Sequence, residues 1–238
     1  MKAKLLCVAI TTVFSSMVAQ AADLDKLNNL TQSTFETLSK DLTAALSYKA
    51  VAPAEPLGLT GFDVGIELTG TSLKSADVWE KATGSSLSTL PLAKLHAHKG
   101  LPFGIDVGAV YSTAPGSNIT LMGGELRYAI MSGNVALPAV AVRAAMTKLS
   151  GVEQLEFNSQ SVELSVSKGF LMLTPYAGVG QVWSTSTPQK DIPLVKEKNS
   201  VTKLFAGTNV NLGLINFAGE FDKTGNNNSY SLKVGLRF

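Results

Sequence analysis

Residues 229–238 alternate strictly between apolar side chains and small or charged ones. Successive side chains of an extended strand point to opposite faces, so this alternation separates two kinds of surface. The apolar face consists of Tyr230, Leu232, Val234, Leu236 and Phe238. The opposite face carries Lys233 and Arg237. The pattern predicts a strand with hydrocarbon on one side and water on the other.

The beginning of the chain has the features of a secretory signal peptide. Two lysines precede an apolar run over residues 5–14, and Ala19 and Ala21 form a small-x-small cleavage site. This order of features predicts a signal peptide over residues 1–21. The single cysteine, Cys7, lies within it, so we expect the processed chain to have no thiol, disulfide or thiolate metal site.

The composition favours a membrane setting. Charged residues make up 16% of the chain, compared with about 25% in soluble domains, and the mean hydropathy is +0.19. After the leader, no apolar run approaches the roughly 20 residues of a spanning helix. A chain of this kind can cross a bilayer only as strands closed into a barrel. The net charge of +2 gives no indication of a nucleic-acid partner.

An alternating final strand that ends in Phe238, together with an export signal, resembles the last strand of bacterial outer-membrane β-barrel proteins. The resemblance implies that the chain resides in the outer membrane, in contact with its lipid. It also implies that the barrel assembly machinery recognises the outward residues of this strand, which are Tyr230, Leu232, Val234, Leu236 and Phe238. It does not indicate an activity.

Apolar residues over residues 23–46 recur at intervals of three or four, which predicts an amphipathic helix of about six turns, capped by Asp23. A segment with two prolines follows, so we divide the chain into residues 22–56, the helix and its linker, and residues 57–238, the barrel. The helix could plug the barrel, cover its periplasmic rim or lie on the membrane. Its polar face has few cations, which disfavours the membrane surface. We expect a packing element at the periplasmic mouth.

From residue 59 onward the period changes to two, and ten strands are predicted. Their ranges are 61–71, 91–99, 103–113, 119–131, 135–148, 155–167, 170–184, 201–212, 215–223 and 229–238. Short and long connections alternate between them, as in an antiparallel up-and-down barrel with both termini in the periplasm. Barrels of eight or twelve strands remain open alternatives. The first long connection contains a helical pattern over residues 77–81.

In every predicted strand that has charged side chains, those in the middle of the strand share one face, opposite an almost purely apolar face. A lysine or arginine turned toward lipid would cost about 2 to 4 kcal/mol, so the charged face is predicted to line the lumen. The predicted lining residues are Asp63, Glu67, Lys94, His96, His98, Asp106, Glu125, Arg127, Arg143, Glu163, Lys203, Glu220, Asp222, Lys233 and Arg237. The seventh strand has no charge that would orient it. The near balance of acids and bases favours a salt-bridge network over a selective solute pathway.

His96 and His98 share one strand face and are the only histidines. With an acid of a neighbouring strand they could bind a metal, and beside Asp106 one could act as a base. With a catalytic histidine pair, the chain would resemble outer-membrane proteases and lipid A hydrolases, which are barrels with catalytic groups near the external rim. Here the pair approaches a short, periplasmic turn, and no serine follows in a His-x-Ser arrangement. We predict no catalytic residue, no metal and no cofactor.

Three functions remain open. The leading hypothesis is a narrow or gated channel for a small or hydrophobic solute, with the helix as a hatch. The first alternative is a non-conducting structural or surface-interaction barrel, and the second is a hydrolase of the rim type. The expected partners are outer-membrane lipid, the barrel assembly machinery and, for a channel, a small solute.

Overall fold

The computed structural model describes residues 23–238, so the predicted signal peptide and its cleavage site lie outside the described residues. Ten antiparallel strands form a closed barrel in which each strand pairs with its sequence neighbours and the first pairs with the last. The strands are β1 Phe62–Ser72, β2 Thr89–Gly100, β3 Ile105–Thr113, β4 Thr120–Ser132, β5 Ala139–Ser150, β6 Leu155–Ser167, β7 Leu173–Pro188, β8 Glu197–Leu212, β9 Ile215–Thr224 and β10 Asn227–Arg237. The predicted barrel and its ten strands are confirmed.

The strands alternate between buried and exposed side chains along their length. In β6 the buried Glu163 lies between the exposed Val162 and Leu164, as the sequence pattern requires. The orientation of β7, which the sequence left open, is now defined, because Tyr176 and Val182 are buried inside whereas Trp183 is exposed outside. The barrel therefore has an apolar outer surface and a separate, buried interior.

The two ends of the barrel differ in their connections. The short-turn end contains residues 101–104, 133–138, 168–172 and 213–214, and the long-loop end contains residues 73–88, 114–119, 151–154, 189–196 and 225–226. The predicted long connection over residues 224–228 is wrong. Pairing of Thr224 with Asn227 extends β9 and β10, and Gly225 makes the tight turn with a φ of +58°.

The chain contains two α-helices within the described residues, α1 over Gln32–Leu46 and α2 over Ala76–Thr83. The side chain of Thr31 caps α1 by accepting from the backbone N–H of Thr34. The predicted start of this helix at Asp23 is wrong, because a single 3-10 turn at Leu27–Asn29 precedes it. The helical pattern over residues 77–81 is confirmed by α2. Neither helix has the length and apolarity needed to cross a membrane.

Helix α1 lies inside the barrel, and the buried residues 47–54 continue through the interior. The backbone N–H groups of Leu24 and Leu27 donate to the side chains of Asn118 and Gln154, both in connections of the long-loop end. At the opposite end, the N–H of Leu57 donates to Asp106. Residues 24–57, which we call the lumen segment, thus pass through the whole barrel from the long-loop end to the short-turn end.

The lumen segment overturns the expectation that the helix covers the periplasmic mouth. Both ends of the barrel wall, at the start of β1 and the end of β10, lie at the short-turn end, whereas the first described residues lie at the long-loop end. The physical reason is burial: a ten-stranded wall encloses more space than its own side chains fill, and the apolar face of α1 fills it.

Candidate functional site

The half of the interior near the long-loop end, which we call the apolar half, is packed like the core of a soluble protein. Helix α1 contributes the buried side chains of Phe35, Leu38 and Leu42. The wall opposite them contributes buried leucine and phenylalanine side chains from β2, β4, β5 and β6, namely Leu90, Leu92, Leu121, Leu149, Leu155 and Phe157. Trp79 of α2 belongs to the same cluster. Within the described residues, these side chains form one buried apolar cluster around α1.

The other side of α1 meets a wall of hydroxyl groups. Ser39 and Ser186 form a hydrogen bond of 2.7 Å between their hydroxyl oxygens, and Thr43 and Ser184 form another of 2.7 Å. All four residues are buried. The helix therefore presents its apolar face to the apolar wall and its polar face to the polar wall, so the fit is chemical as well as steric.

Asp41 of α1 connects the helix to the covering loop. Its carboxylate accepts hydrogen bonds from Trp79 Nε1 at 3.0 Å, from Asn227 Nδ2 at 2.6 Å and from the backbone N–H of Lys74 at 3.2 Å. A buried carboxylate needs such donors because it has lost its water. These bonds hold the loop of residues 73–88, with α2, against the mouth of the barrel.

The half near the short-turn end, which we call the charged half, contains a continuous chain of ion pairs. Arg143 lies between two carboxylates, with its Nε 2.9 Å from Glu125 and a terminal nitrogen 2.8 Å from Glu163. Lys203 pairs with the second oxygen of Glu163 at 2.8 Å. All four side chains are almost completely buried, so each charge depends on its partners for the interactions that water would supply.

A second group of charges surrounds Asp63. Its carboxylate lies 2.8 Å from Lys233, 3.1 Å from Arg237 and 2.9 Å from His96 Nε2. The other ring nitrogen of His96 lies 3.2 Å from Glu67, which also pairs with Lys94 at 2.6 Å. Acids and bases of β1, β2 and β10 are thus joined in one network.

Three cations of the wall bind the backbone of the lumen segment. The Nζ of Lys203 donates to the carbonyl of Tyr48 at 2.8 Å, and the Nζ of Lys94 donates to that of Lys49 at 3.3 Å. Arg127 donates to the carbonyl of Pro53 at 2.6 Å and also pairs with Asp106 at 2.6 Å. The extended part of the segment is held by these donors at successive positions.

Three functional groups of the interior were missed by sequence reasoning. Tyr48 contacts His98 Nε2 through its hydroxyl at 3.1 Å, and Lys49 Nζ lies 4.0 Å from Asp222. Tyr176 donates to Glu220 at 3.0 Å. The first two belong to a stretch assigned to the helix end and linker, and Tyr176 belongs to the strand that no charge oriented. The available signal was Lys49, a charged residue between the predicted helix and the proline-containing segment, which could have indicated an acidic partner inside the barrel.

Every predicted lining residue lies on the interior face of the wall. All of them are buried except Arg237, which is half-buried at the short-turn end but still directs its side chain to Asp63. The predicted assembly residues Tyr230, Leu232, Val234, Leu236 and Phe238 are exposed on the outer face. Their recognition by the assembly machinery stays a prediction.

The structure brings Asp63, His96 and His98 together, with potential ligand atoms within 4.8 Å of one another. Carboxylate and imidazole ligands suit Zn²⁺ by type. However, Asp63 already pairs with Lys233 and Arg237, and these cations would repel a metal ion. The expected neighbour of the histidines, Asp106, pairs with Arg127 instead. The geometry therefore describes a hydrogen-bonded ion network.

A closed antiparallel barrel with an even number of strands, an ionic interior and an apolar outer belt is the architecture of bacterial outer-membrane proteins. The protein is a transmembrane β-barrel of the bacterial outer membrane. In proteins of this class, short turns face the periplasm and long loops face the exterior.

No protein-family model matches the chain, and neither does any curated protein. Solved structures that resemble it are outer-membrane proteins. OmpTΔL8, a loop-deletion mutant of an outer membrane protein of Vibrio cholerae, is 12% identical with a TM-score of 0.34, over 63% of this chain and 55% of that one. Ail, the attachment invasion locus protein of Yersinia pestis, is 12% identical with a TM-score of 0.33, over 75% and 99%. Neisserial surface protein A is 11% identical with a TM-score of 0.34, over 74% and 94%.

Proposed function

We propose that this protein is a non-conducting barrel whose exterior loops form an interaction surface for a component of the envelope or its surroundings. The observation that carries the proposal is the apolar wall of the interior. Inward-facing leucine and phenylalanine side chains, such as Leu121 and Phe157, pack on α1. Water would contact these groups in an open channel, at a cost of about 25 cal/mol for each Å² of apolar surface. The helix is therefore an integral part of the fold.

The attachment of the lumen segment at several levels supports the same conclusion. Hydroxyl pairs and Asp41 hold α1 in the apolar half, and Lys203, Lys94 and Arg127 hold the extended part below it. Displacement of the segment would break these contacts together. A gate, by contrast, needs two states of similar free energy.

The exterior surface provides the area for recognition. Strands β6, β7 and β8 continue past the apolar belt, and their outward positions there carry polar side chains, among them Glu156, Asn158, Lys198 and Ser200. Helix α2 and its loop add a rigid element, because Trp79 anchors them in the interior core. A polar surface on a rigid support is suited to binding a polar partner outside the cell.

A gated channel is the second candidate, and the charged half is the observation that favours it. If residues 47–54 moved out, their surroundings would be ionisable groups that water can hydrate. The two candidates differ in whether the lumen segment leaves the barrel under any functional condition.

Conductance separates the candidates. In planar bilayers and in liposome swelling assays, the wild-type protein is expected to pass neither ions nor small sugars. The variant Leu38→Asn/Leu42→Asn places amides in the apolar half and should produce irregular conductance as α1 loosens. The matched control is Lys40→Asn on the exposed face of α1, which should remain closed. Regular conductance by the wild-type protein would overturn the proposal and support a channel.

We further propose that His96 and His98 have a structural role and that the protein is not a hydrolase. Their ring nitrogens contact Asp63, Glu67, Tyr48 and Glu125 inside the charged half. The test is to assay pure protein for lipase and protease activity before and after the double substitution His96→Ala/His98→Ala. An activity that the substitution abolishes, with the fold intact by circular dichroism, would contradict this role.

A further inference from the structure

The tips of the short turns carry large apolar side chains that contact little else in the described part of the chain. The exposed tip residues are Phe103 between β2 and β3, Val135 between β4 and β5, Leu171 between β6 and β7, and Leu214 between β8 and β9. Phe103 is 89% exposed, and Val135 and Leu171 are fully exposed. We call these four residues the apolar ring. A surface of this kind indicates contact with an apolar partner.

Two members of the apolar ring have a backbone conformation that disfavours bulky residues. Phe103 has a φ of +65° and Leu171 a φ of +56°, which places both in the left-handed region. Turns that face water usually place glycine or asparagine there, and Asn-Gly is the favoured pair where Phe103 precedes Gly104. Neither the turn geometry nor contact with water accounts for the side chains at these positions.

Apart from Lys99 on β2, the lipid-facing belt is apolar as far as the short-turn end. Exposed apolar side chains occupy the last outward positions of several strands there, among them Phe62, Leu173, Leu212 and Ile215. At the other end, the outward positions are polar, as in Lys148, Glu156, Lys198 and Lys223. The belt is therefore displaced toward the short turns and is continuous with the apolar ring.

The turns at this end satisfy their backbone carbonyls internally. The Nζ of Lys168 donates to the carbonyls of Asn134, Val135 and Leu137 at 2.9, 2.7 and 3.2 Å. The Nζ of Lys99 donates to the carbonyls of Leu59 and Gly61 at 2.6 and 3.0 Å. Carbonyl groups in contact with water need no such donors, whereas carbonyl groups at the acyl boundary of a membrane do. Long lysine side chains can supply them from the headgroup level.

We propose that the apolar ring is a lipid-binding surface inserted into the phospholipid leaflet on the periplasmic side. Phe103, Val135, Leu171 and Leu214 enter the acyl boundary, and Lys99 and Lys168 lie at the headgroups. The barrel then sits low in the membrane, with its turns immersed and its long-loop end raised above the opposite leaflet. This surface is separate from the exterior surface proposed above, and either can be right without the other.

Site-specific fluorescence tests the depth of the ring. In a Cys7→Ser background, Val135→Cys or Leu171→Cys is labelled with an environment-sensitive fluorophore, and the protein is folded into vesicles of phosphatidylethanolamine and phosphatidylglycerol. Lys190→Cys, in an exposed loop of the other end, is the matched control. The ring labels should emit at shorter wavelength and be quenched several-fold more by spin-labelled lipid than by iodide, and the control should show the reverse. Ring labels that iodide quenches as strongly as the control would overturn the proposal.

Two further measurements distinguish lipid from a protein partner. A photo-crosslinker at position 171 in native membranes should yield lipid adducts, whereas a predominant protein adduct would overturn the proposal. In vesicles, Leu171→Asn should lower the urea midpoint although asparagine tolerates the left-handed conformation better than leucine. Val195→Asn, an exposed apolar residue at the long-loop end, is the control and should leave the midpoint unchanged. An unchanged or raised midpoint for Leu171→Asn would also count against insertion.

Discussion

The two halves of the barrel interior are filled by the same chain in opposite ways. In the apolar half the lumen segment is a helix, and leucine and phenylalanine side chains of the wall pack on it. In the charged half the segment is extended, and Lys94, Arg127 and Lys203 bind its carbonyls. A helix satisfies its own backbone groups, so its surroundings can be hydrocarbon. An extended chain does not, so the wall around it must supply donors. The backbone conformation of the segment thus determines the chemistry of the wall.

The largest effect is expected from a substitution at the centre of the charged half. Arg143→Met removes the cation between Glu125 and Glu163 and leaves buried carboxylates with fewer partners. We expect the free energy of unfolding, from urea titration in lipid vesicles, to fall by about 3 to 5 kcal/mol. The matched control is Lys40→Met, which removes an exposed ion pair with Glu36 and should change it by less than about 1 kcal/mol. If both variants lose a similar free energy of unfolding, burial does not make the Arg143 ion pairs more important than the exposed pair of Lys40.

The apolar half should be destabilised by a substitution that creates a cavity. Leu42→Ala removes buried methyl groups from α1, and the free energy of unfolding should fall by about 2 to 5 kcal/mol. Leu95→Ala on the outer surface is the control and should cost less, because lipid can fill the space. The same urea titration measures both. If Leu42→Ala costs no more than Leu95→Ala, α1 does not pack as a core element.

An intermediate effect concerns the connection between the apolar half and its covering loop. Asp41→Asn weakens the hydrogen bonds from Trp79 and Asn227 and should cost about 1 to 3 kcal/mol. The readouts are the emission of Trp79 and the rate of proteolysis within residues 73–88. Asp77→Asn on the exposed side of α2 serves as the control. Equal proteolysis of the two variants would show that Asp41 does not hold the loop.

The smallest effect is expected from the loss of one hydrogen bond on the polar side of α1. Ser184→Ala deletes one hydrogen bond to Thr43, whose hydroxyl still donates to the carbonyl of Ser39 at 2.6 Å. We therefore expect a loss of about 0.5 to 1.5 kcal/mol. A double-mutant cycle with Thr43→Ala measures the coupling between the two hydroxyl groups, and zero coupling would contradict the hydrogen bond.

The barrel wall could be predicted because apolar and charged residues alternate regularly in its strands and because a charged side chain turned toward lipid costs much free energy. Asp63, Glu163 and Lys233 fall on the interior face because one step of register would turn them toward lipid. The ends of β6 and β1 agree with the predicted ranges within about one residue, since apolar alternation stops where the strands stop.

The contents of the barrel could not be predicted in the same way. The amphipathic pattern of α1 requires that one face be buried, but it does not say by which surface. The partners within the ionic network depend on register across strands, such as the pairing of Arg143 with Glu163 between β5 and β6. Contacts such as that of Tyr48 with His98 join residues far apart in sequence. No local pattern encodes them.

The route of the lumen segment has a topological consequence for the whole chain. Ten crossings by the wall strands would return a polypeptide to the side of the membrane from which it started. The passage through the interior makes the number of crossings odd, so residues near Leu24 lie at the long-loop end while Phe238 lies at the short-turn end. The barrel closes when β1 pairs with β10. During biogenesis, this closure must either occur around a lumen segment that is already in position, or the segment must be threaded through the closed barrel afterwards. Residues 24–57 are thus an eleventh passage of the chain, enclosed by the other ten.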